Sequence, residues 1–340
     1  MSDVDPQALS QYLQGAIPGF DRIDAIEKFQ GGQSNPSYRL TSGGKHYALR
    51  RKPFGKLLRS AHAIEREYRL LAALHPTGFP VPRPILLCED EAVIGAVFYV
   101  MEFVDGRIFW NGMLPEVPKA DRCAYYDGMI ETQARLHSFD HMTLGLGDFG
   151  APGNYIGRQV ERWTKQYRAS QTGEIAEVEK LIEWLPRTVP EQSRTCIIHG
   201  DYRIDNIIYA ADGPQVRAIL DWELATIGDP LADFAYLAMN WALEWDGRAS
   251  LGNVDLLAEG LPTLDEAVDR YCAATGRAGL PDLHWYFAYN LFRLVGILQG
   301  IKQRVADGNA SSPHAAAMAE RIVPLATAAW NEARRAGAKN

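Results

Sequence analysis

Ile198-His199-Gly200-Asp201-Tyr202-Arg203-Ile204-Asp205-Asn206 and, shortly after it, Ile219-Leu220-Asp221-Trp222-Glu223 carry the pattern from which the architecture of this chain follows. Short β-like runs bracket both: residues 195–198 and 207–209 flank the first, and 216–220 leads into the second. Asp201 follows a strand directly and Asn206 opens the next one, so a carboxylate and an amide face the mouth of one tight loop. Asp221 adds a hard oxygen at a rigid strand end, which suits magnesium. Phosphoryl transfer needs an aligned hydroxyl, a group to take its proton, and neutralised phosphate charge. A lone Asp in such a turn is usually a cap; it is the combined spacing of Asp201, Asn206 and Asp221 that points to a magnesium-dependent phosphoryl transferase.

Upstream, residues 23–52 alternate apolar and polar in runs broken at Gly31-Gly32 and Ser42-Gly43-Gly44, which predicts three antiparallel strands. Residues 61–74 switch to helical spacing at Ile64, Tyr68, Leu71 and Leu74. Residues 85–88 and 97–104 supply two more strands. Downstream the pattern is mostly helical, with helices predicted over 119–138, 156–167, 174–184, 231–243, 264–274, 282–304 and 313–336. The expected fold class is α+β. It has two lobes with a cleft between them: a small antiparallel β N-lobe with one main helix over residues 1–104, and a larger, mostly helical C-lobe over 105–340.

With 340 residues, 47% of them hydrophobic, the chain can bury a large core. A formal charge of -7 gives no global attraction to nucleic acid or to an anionic membrane. Asp3 and Asp5 replace any basic leader, and the apolar stretch 285–301 is interrupted by Asn290, Arg293 and Gln299, so no membrane span is expected and a cytoplasmic location is. Cys88, Cys123, Cys196 and Cys272 are widely spaced and read as ordinary reduced thiols. The sequence assigns no oligomeric state.

The two carboxylate motifs are joined by Phe29-Gln30-Gly31-Gly32-Gln33-Ser34-Asn35, Tyr47-Ala48-Leu49-Arg50-Arg51-Lys52-Pro53, Glu65-Arg66-Glu67-Tyr68 and Gly228-Asp229-Pro230-Leu231-Ala232-Asp233. In that order the chain resembles the aminoglycoside phosphotransferase and choline kinase superfamily, a branch of the protein-kinase-like fold. In particular it resembles the subfamily that also occurs as the kinase-like part of acyl-CoA dehydrogenase fusion proteins. The resemblance implies ATP as donor, with GTP not excluded, Asp201 as catalytic base, and Mg²⁺ on Asn206 and Asp221.

The Gly31-Gly32 turn can present backbone N–H groups to phosphates, with Ser34 and Asn35 as further donors, although a bare Gly-Gly also serves as a plain turn. Related kinases carry a lysine on the third strand where this chain has Arg50, whose fork can also bind phosphate oxygens. Glu67 is the expected carboxylate partner of Arg50, with Glu65 the alternative. Arg203 can neutralise charge on the transferring phosphoryl group or pair on the surface with Asp205. His199, Asp229 and Asp233 read as scaffold and His137 as a packing histidine. The backbone at Glu102 and Phe103 is placed to meet a purine edge.

For the acceptor, the helix starting near Tyr155 sets Arg158, Arg162 and Lys165 on the face opposite Ile156, Val160 and Trp163. Such a stripe suits an anionic hydroxyl acceptor, a carboxylate or coenzyme A conjugate, and equally describes a solvated face. Glu223 is a partner of the metal site or a turn residue. Trp222, Tyr236, Asn240, Trp241 and Trp245 can line an apolar pocket or form core. The expected activity is ATP-dependent transfer to a small-molecule hydroxyl, of a hydroxyacyl-CoA or hydroxy acid, with an acyl-CoA dehydrogenase as functional partner. An aminoglycoside or choline-type kinase is one alternative, and a non-catalytic module binding nucleotide or acyl-CoA is another.

Overall fold

The computed structural model describes residues 4–29, 35–54, 63–244, 246–308 and 315–339; Gly31, Gly32, Ser34 and Trp245 lie outside them. In chain order the elements are α1 (Pro6–Ala16), β1 (Ala25–Lys28), β2 (Ser37–Ser42), β3 (Lys45–Arg51), α2 (Ile64–Leu74), β4 (Pro84–Cys88), β5 (Phe98–Glu102), α3 (Lys119–Ser138), α4 (Tyr155–Ser170), α5 (Ala176–Trp184), β6 (Cys196–Ile198), β7 (Ile207–Tyr209), β8 (Val216–Ile219), β9 (Thr226–Gly228), α6 (Pro230–Ala238), α7 (Leu256–Glu259), α8 (Leu264–Thr275), α9 (Leu283–Ala306), α10 (Ala315–Glu320) and α11 (Ile322–Arg335). They fall into two compact units. The first takes in the chain through Phe109 together with Met142–Phe149 and Asp205–Ala225; the second takes in Trp110–His141, Gly150–Ile204 and everything from Thr226 on.

The first unit is a five-stranded antiparallel sheet in the order β1-β2-β3-β5-β4, with the β7–β8 hairpin beside it in the same unit. Side chains alternate between its faces, and this decides what β3 offers to each side. Tyr38, Leu49 and Val100 are cross-strand neighbours and enter a core with Leu9, Leu13 and Ile17 of the α1 region. One residue on, Arg50 and Tyr99 pair across β3 and β5 on the opposite face, where α2 supplies Glu67. α1 is an element the sequence pattern above leaves unpredicted, although its signals are present. Asp5 caps it by accepting from the N–H groups of Gln7 and Ala8, Pro6 stands at its first turn, and Leu9 and Leu13 recur at helical spacing.

The second unit is built round α9, which packs against α4, α6, α10 and α11. α9 is buried on nearly every side, as expected of a helix without a polar face. Its polar interruptions are spent on backbone carbonyls of neighbouring elements: Asn290 Nδ2 donates to Ala232 O at 3.0 Å, Arg293 Nη2 to Gly200 O at 2.6 Å and Gln299 Nε2 to Ser170 O at 2.6 Å. Among the described residues no helix is long and apolar enough to cross a membrane, and all four cysteines are free.

Three expectations are corrected here. The helix predicted over 313–336 is two, because Pro324 has no N–H to give and its ring clashes with the carbonyl four residues back, at Glu320, where α10 ends. The helix predicted over 231–243 stops at Ala238 and tightens into a 3₁₀ turn over Met239–Trp241. Thr226–Gly228, not expected as a strand, pairs antiparallel with Cys196–Ile198. A Cβ at Gly228 would lie 2.5 Å from Ile198 Cδ1 and 3.1 Å from Tyr155 Cδ2, so a side chain there would push both of those groups aside.

Candidate active site

In the first unit, Arg50 is the centre of a buried charge cluster. Its Nε lies 2.9 Å from Glu67 Oε2, its Nη2 donates to Asp221 Oδ1 at 2.7 Å, and Glu223 Oε2 is 3.6 Å away. Tyr99 Oη donates to Glu67 Oε2 at 3.1 Å, and the fully buried Asn35 gives its Nδ2 to Glu67 and Glu223. Glu65 is bonded to Lys52 instead. Burial pushes the Glu67 carboxyl up to about 7, against the pull of Arg50 and with the push of Asp221 and Glu223. Burial also opposes the charge on Arg50, but Glu67, Tyr99, Asp221 and Glu223 outweigh it and raise its pKa, so the guanidinium stays protonated.

Asp221 follows β8 with φ of 62°, a left-handed conformation uncommon outside glycine and tolerated by Asp. Leu220 N donates to Asn206 O at 2.8 Å, which sets Asn206 and Asp221 at the same end of the β7–β8 hairpin. A carboxylate and an amide oxygen, beside a cluster holding three carboxylates against one arginine, form a hard, acid-rich donor set. That chemistry fits Mg²⁺, which takes few protein ligands and completes its shell with phosphate oxygens and water. Among the described residues no group of three His, Cys, Asp or Glu side chains forms a dedicated metal cage.

Removing the Arg50 cation tests this cluster. Arg50→Ala is expected to lower kcat/KM for nucleotide by about a hundredfold, from the loss of charge-assisted phosphate contacts. It should also cost about 3 kcal/mol of stability, because Glu67 keeps its burial without its partner. Steady-state kinetics and chemical denaturation read the two effects separately, and unchanged kinetics would remove Arg50 from the nucleotide site.

In the second unit, Asp201 stands on a loop locked from below. Gly200 takes φ of 84° and donates its N–H to Asp233 Oδ1 at 2.7 Å, while the His199 N–H reaches Asp233 Oδ2 at 3.1 Å. His137 Nε2 and Gln133 Nε2 reach the same Oδ2 at 3.1 and 3.2 Å, and His137 Nδ1 meets Tyr271 Oη at 2.8 Å. Asp201 N donates to His199 Nδ1 at 3.2 Å. Tyr236 Oη donates to Asp201 Oδ1 at 2.7 Å and so orients the carboxylate. Burial first, and then the charge of Asp201, push the Tyr236 phenol up, which keeps it a donor. Arg203 Nε is 3.8 Å from Asp201 Oδ1.

Asp229, Asp233 and Tyr236 fall at i, i+4 and i+7 along the start of α6. Sequence reasoning took the first two as scaffold and missed the hold of Tyr236 on Asp201. The helical spacing that joins the three was the signal available.

Burial would raise the Asp233 carboxyl, but the hydrogen bond from His137, the neighbouring imidazoles and the Gly200 N–H hold it down to about 2. Its folded value is below the ordinary one, so the stability it contributes is present above about pH 4 and lost as pH falls through about 2. Asp233→Asn should therefore be less stable than wild type by about 2 kcal/mol at neutral pH. Urea melts across the acid range should show that gap closing between pH 4 and 2; a gap independent of pH would contradict the assignment.

The other predicted residues are placed as follows. The Glu102 N–H is engaged with Arg83 O at 2.8 Å, and the Phe103 ring stacks on Phe29 with centroids 6.3 Å apart. Trp222 is buried with its Nε1 on Ile219 O and its ring edge-on to Phe79, and Trp241 is buried with its Nε1 on Pro262 O. Both indoles are packing groups of their own units. Tyr155 is buried at the start of α4. Arg158 spends its fork on the carbonyls of Ala151, Pro152 and Gly153, and Lys165 pairs with Glu161. Arg162 lies over the ring of Trp163, at 5.2 Å from its centroid.

Residues 25–286 match the Phosphotransferase enzyme family. A crystal structure from Ralstonia eutropha JMP134, provisionally named an aminoglycoside phosphotransferase, is 42% identical, superposes with a TM-score of 0.89, and covers 98% of this chain and 99% of that one. Acyl-CoA dehydrogenase family member 10 of Mus musculus is 40% identical over 98% of this chain, which spans only 32% of that protein's length. A more distant match, a homoserine kinase of Rhodospirillum rubrum, is 26% identical over 72% of each chain. The chain thus belongs to the phosphotransferase enzyme family, within the aminoglycoside phosphotransferase and choline kinase superfamily, and is closely related to the segment of the acyl-CoA dehydrogenase family proteins that it matches.

Proposed function

We propose that the protein is an ATP-dependent small-molecule kinase that phosphorylates the hydroxyl of a hydroxy acid or hydroxyacyl-CoA. The observation that carries this is Asp201, a carboxylate oriented by Tyr236 on a loop locked to Asp233. In this reading the acceptor oxygen attacks the γ-phosphorus, the bond to the β-phosphate oxygen breaks to release ADP, and the hydroxyl proton passes to Asp201. Arg203 neutralises charge on the phosphoryl group in transit. Arg50, held by Glu67, grips phosphate oxygens, with Gly31, Gly32 and Ser34 as further phosphate donors and Asn35 bracing Glu67 and Glu223 beside it. The Glu102–Phe103 backbone takes the purine edge. Asn206 and Asp221 hold Mg²⁺, which when bound neutralises the triphosphate oxygens.

Two relatives support the acceptor class by name. Acyl-CoA dehydrogenase family member 10 is named for acyl-CoA chemistry, and a homoserine kinase is named for an acceptor that is itself a hydroxy acid. An acyl-CoA dehydrogenase is then the partner that acts in sequence with this reaction. The test is a panel of hydroxyacyl-CoAs, hydroxy acids, aminoglycosides and choline, each assayed for ATP-dependent phosphate transfer. Transfer to the first two classes is expected, and transfer confined to aminoglycosides or choline would reverse the assignment.

A further inference from the structure

We infer that Arg293 is the acceptor-reading residue of this site: its guanidinium receives the anionic group of the acceptor whose hydroxyl lies at Asp201. This rests on the kinase reading above and names what that site selects. Arg293 is a buried cation in an otherwise apolar stretch of α9, only 8% exposed. Of the other buried guanidinium groups, Arg122 has a carboxylate partner in Glu259 at 2.9 Å and Arg50 has Glu67 and Asp221, while Arg51 donates to Tyr38 Oη and Lys52 O. Among the described residues no carboxylate lies within ion-pair distance of Arg293. Its one hydrogen bond is from Nη2 to the Gly200 carbonyl at 2.6 Å. Nε and Nη1 have no acceptor among the described residues.

The ring faces of Tyr236 and Trp163, with centroids 5.0 and 5.8 Å from its Cζ, compensate part of the charge. Such contacts are worth less than desolvating an ion costs, and Asp201, whose charge also favours the guanidinium, is not in ion-pair contact with it, which leaves the Arg293 head able to take an anion.

Its position supplies the function. Gly200 directly precedes Asp201, and Tyr236 is shared, with its ring under Arg293 and its hydroxyl on Asp201. One short acceptor can therefore place a hydroxyl at the base and an anionic oxygen at the guanidinium. Tyr155, Trp163 and Tyr236 each keep between 6% and 9% exposure, a thin aromatic rim round the same residue. The α4 cations Arg158 and Lys165 are committed elsewhere, to carbonyls of their own turn and to Glu161. A planar guanidinium with free N–H groups matches carboxylate and phosphate oxygens alike. The anion that so short an acceptor brings is the carboxylate of a free hydroxy acid, since the phosphates of a coenzyme A conjugate lie a pantetheine arm away from its acyl hydroxyl.

The experiment compares short hydroxy acids such as 3-hydroxybutyrate with their neutral amides, and their coenzyme A thioesters with the N-acetylcysteamine thioesters that lack the phosphates. Wild type should use the free acid at least tenfold better in kcat/KM than its amide; a gap confined to the thioesters places the charge beyond the reach of Arg293 and overturns the assignment. Arg293→Gln should erase that preference through KM, with kcat changed less than about threefold and the MgATP-induced melting shift unchanged. Arg293→Lys should restore part of it, and serves as the readout if the Gln variant does not fold. A preference that survives in Arg293→Gln, no preference in wild type, or loss of folding in both variants overturns the assignment. A MgATP melting shift without transfer to any member of the panel overturns the anionic acceptor and leaves the kinase reading standing; no shift and no transfer removes both.

Discussion

Asp201→Asn is expected to lower kcat for phosphoryl transfer by about a thousandfold while leaving nucleotide binding intact. The amide keeps the size of the carboxylate and still offers Tyr236 Oη an oxygen to donate to, so the hydrogen bond now 2.7 Å long can persist. What it loses is the capacity to take a proton, a contribution of about 10²–10⁴ for a positioned general base. The loop is held through Asp233 and the backbone of His199 and Gly200, none of which the substitution touches. Stability should therefore change by less than about 1 kcal/mol. Single-turnover transfer and ATP titration followed by thermal shift separate the two effects. A kcat within tenfold of wild type would mean that Asp201 is not the base, and a chain that binds nucleotide without any turnover to abolish would be a sensor.

Asp221→Ala should remove the magnesium-dependent part of nucleotide binding and depress transfer by about a thousandfold, the scale of losing several kcal/mol of charge stabilisation at the phosphates. Saturation at about 100 times the dissociation constant adds about 2.7 kcal/mol, a shift of roughly 4 °C in a protein of this size. Wild type should show that shift with MgATP and much less with ATP and chelator; the variant should show none with either. Alanine at φ of 62° carries its own strain, so Asp221→Asn, which tolerates that conformation, is the paired control. It should lose the magnesium effect while melting close to wild type without ligand. A full magnesium-dependent shift in both variants would take Asp221 out of the metal site.

The two-unit α+β architecture was legible because it depends on local pattern. Alternation over β2 and β3, the switch to helical spacing at Ile64, and the Gly43-Gly44 turn each act within a few residues, where sterics and side-chain direction settle the outcome. The pairing of Arg50 with Glu67 was also legible, since strand alternation fixes the face of one and the α2 period the face of the other. β9 was not, because three residues ending in glycine form a strand only when β6 is there to pair with them. Nor was the break at Arg321, where a proline inside an otherwise helical pattern tells only that the ladder is interrupted, not whether the helix kinks or ends.

Residue types and their order along the chain suffice to propose the chemistry: Asp201, Asn206 and Asp221 stand at strand ends, on loops too short to place them far from those ends. What holds them is a matter of packing. Tyr236 on Asp201, Asp233 under Gly200, Arg50 shared among three acids, and Arg293 with no carboxylate in ion-pair contact among the described residues all depend on helices and strands distant in the chain. A side chain's charge partner is set by which elements the core brings together, and that follows from burying apolar faces over the whole fold, which no single stretch of sequence encodes.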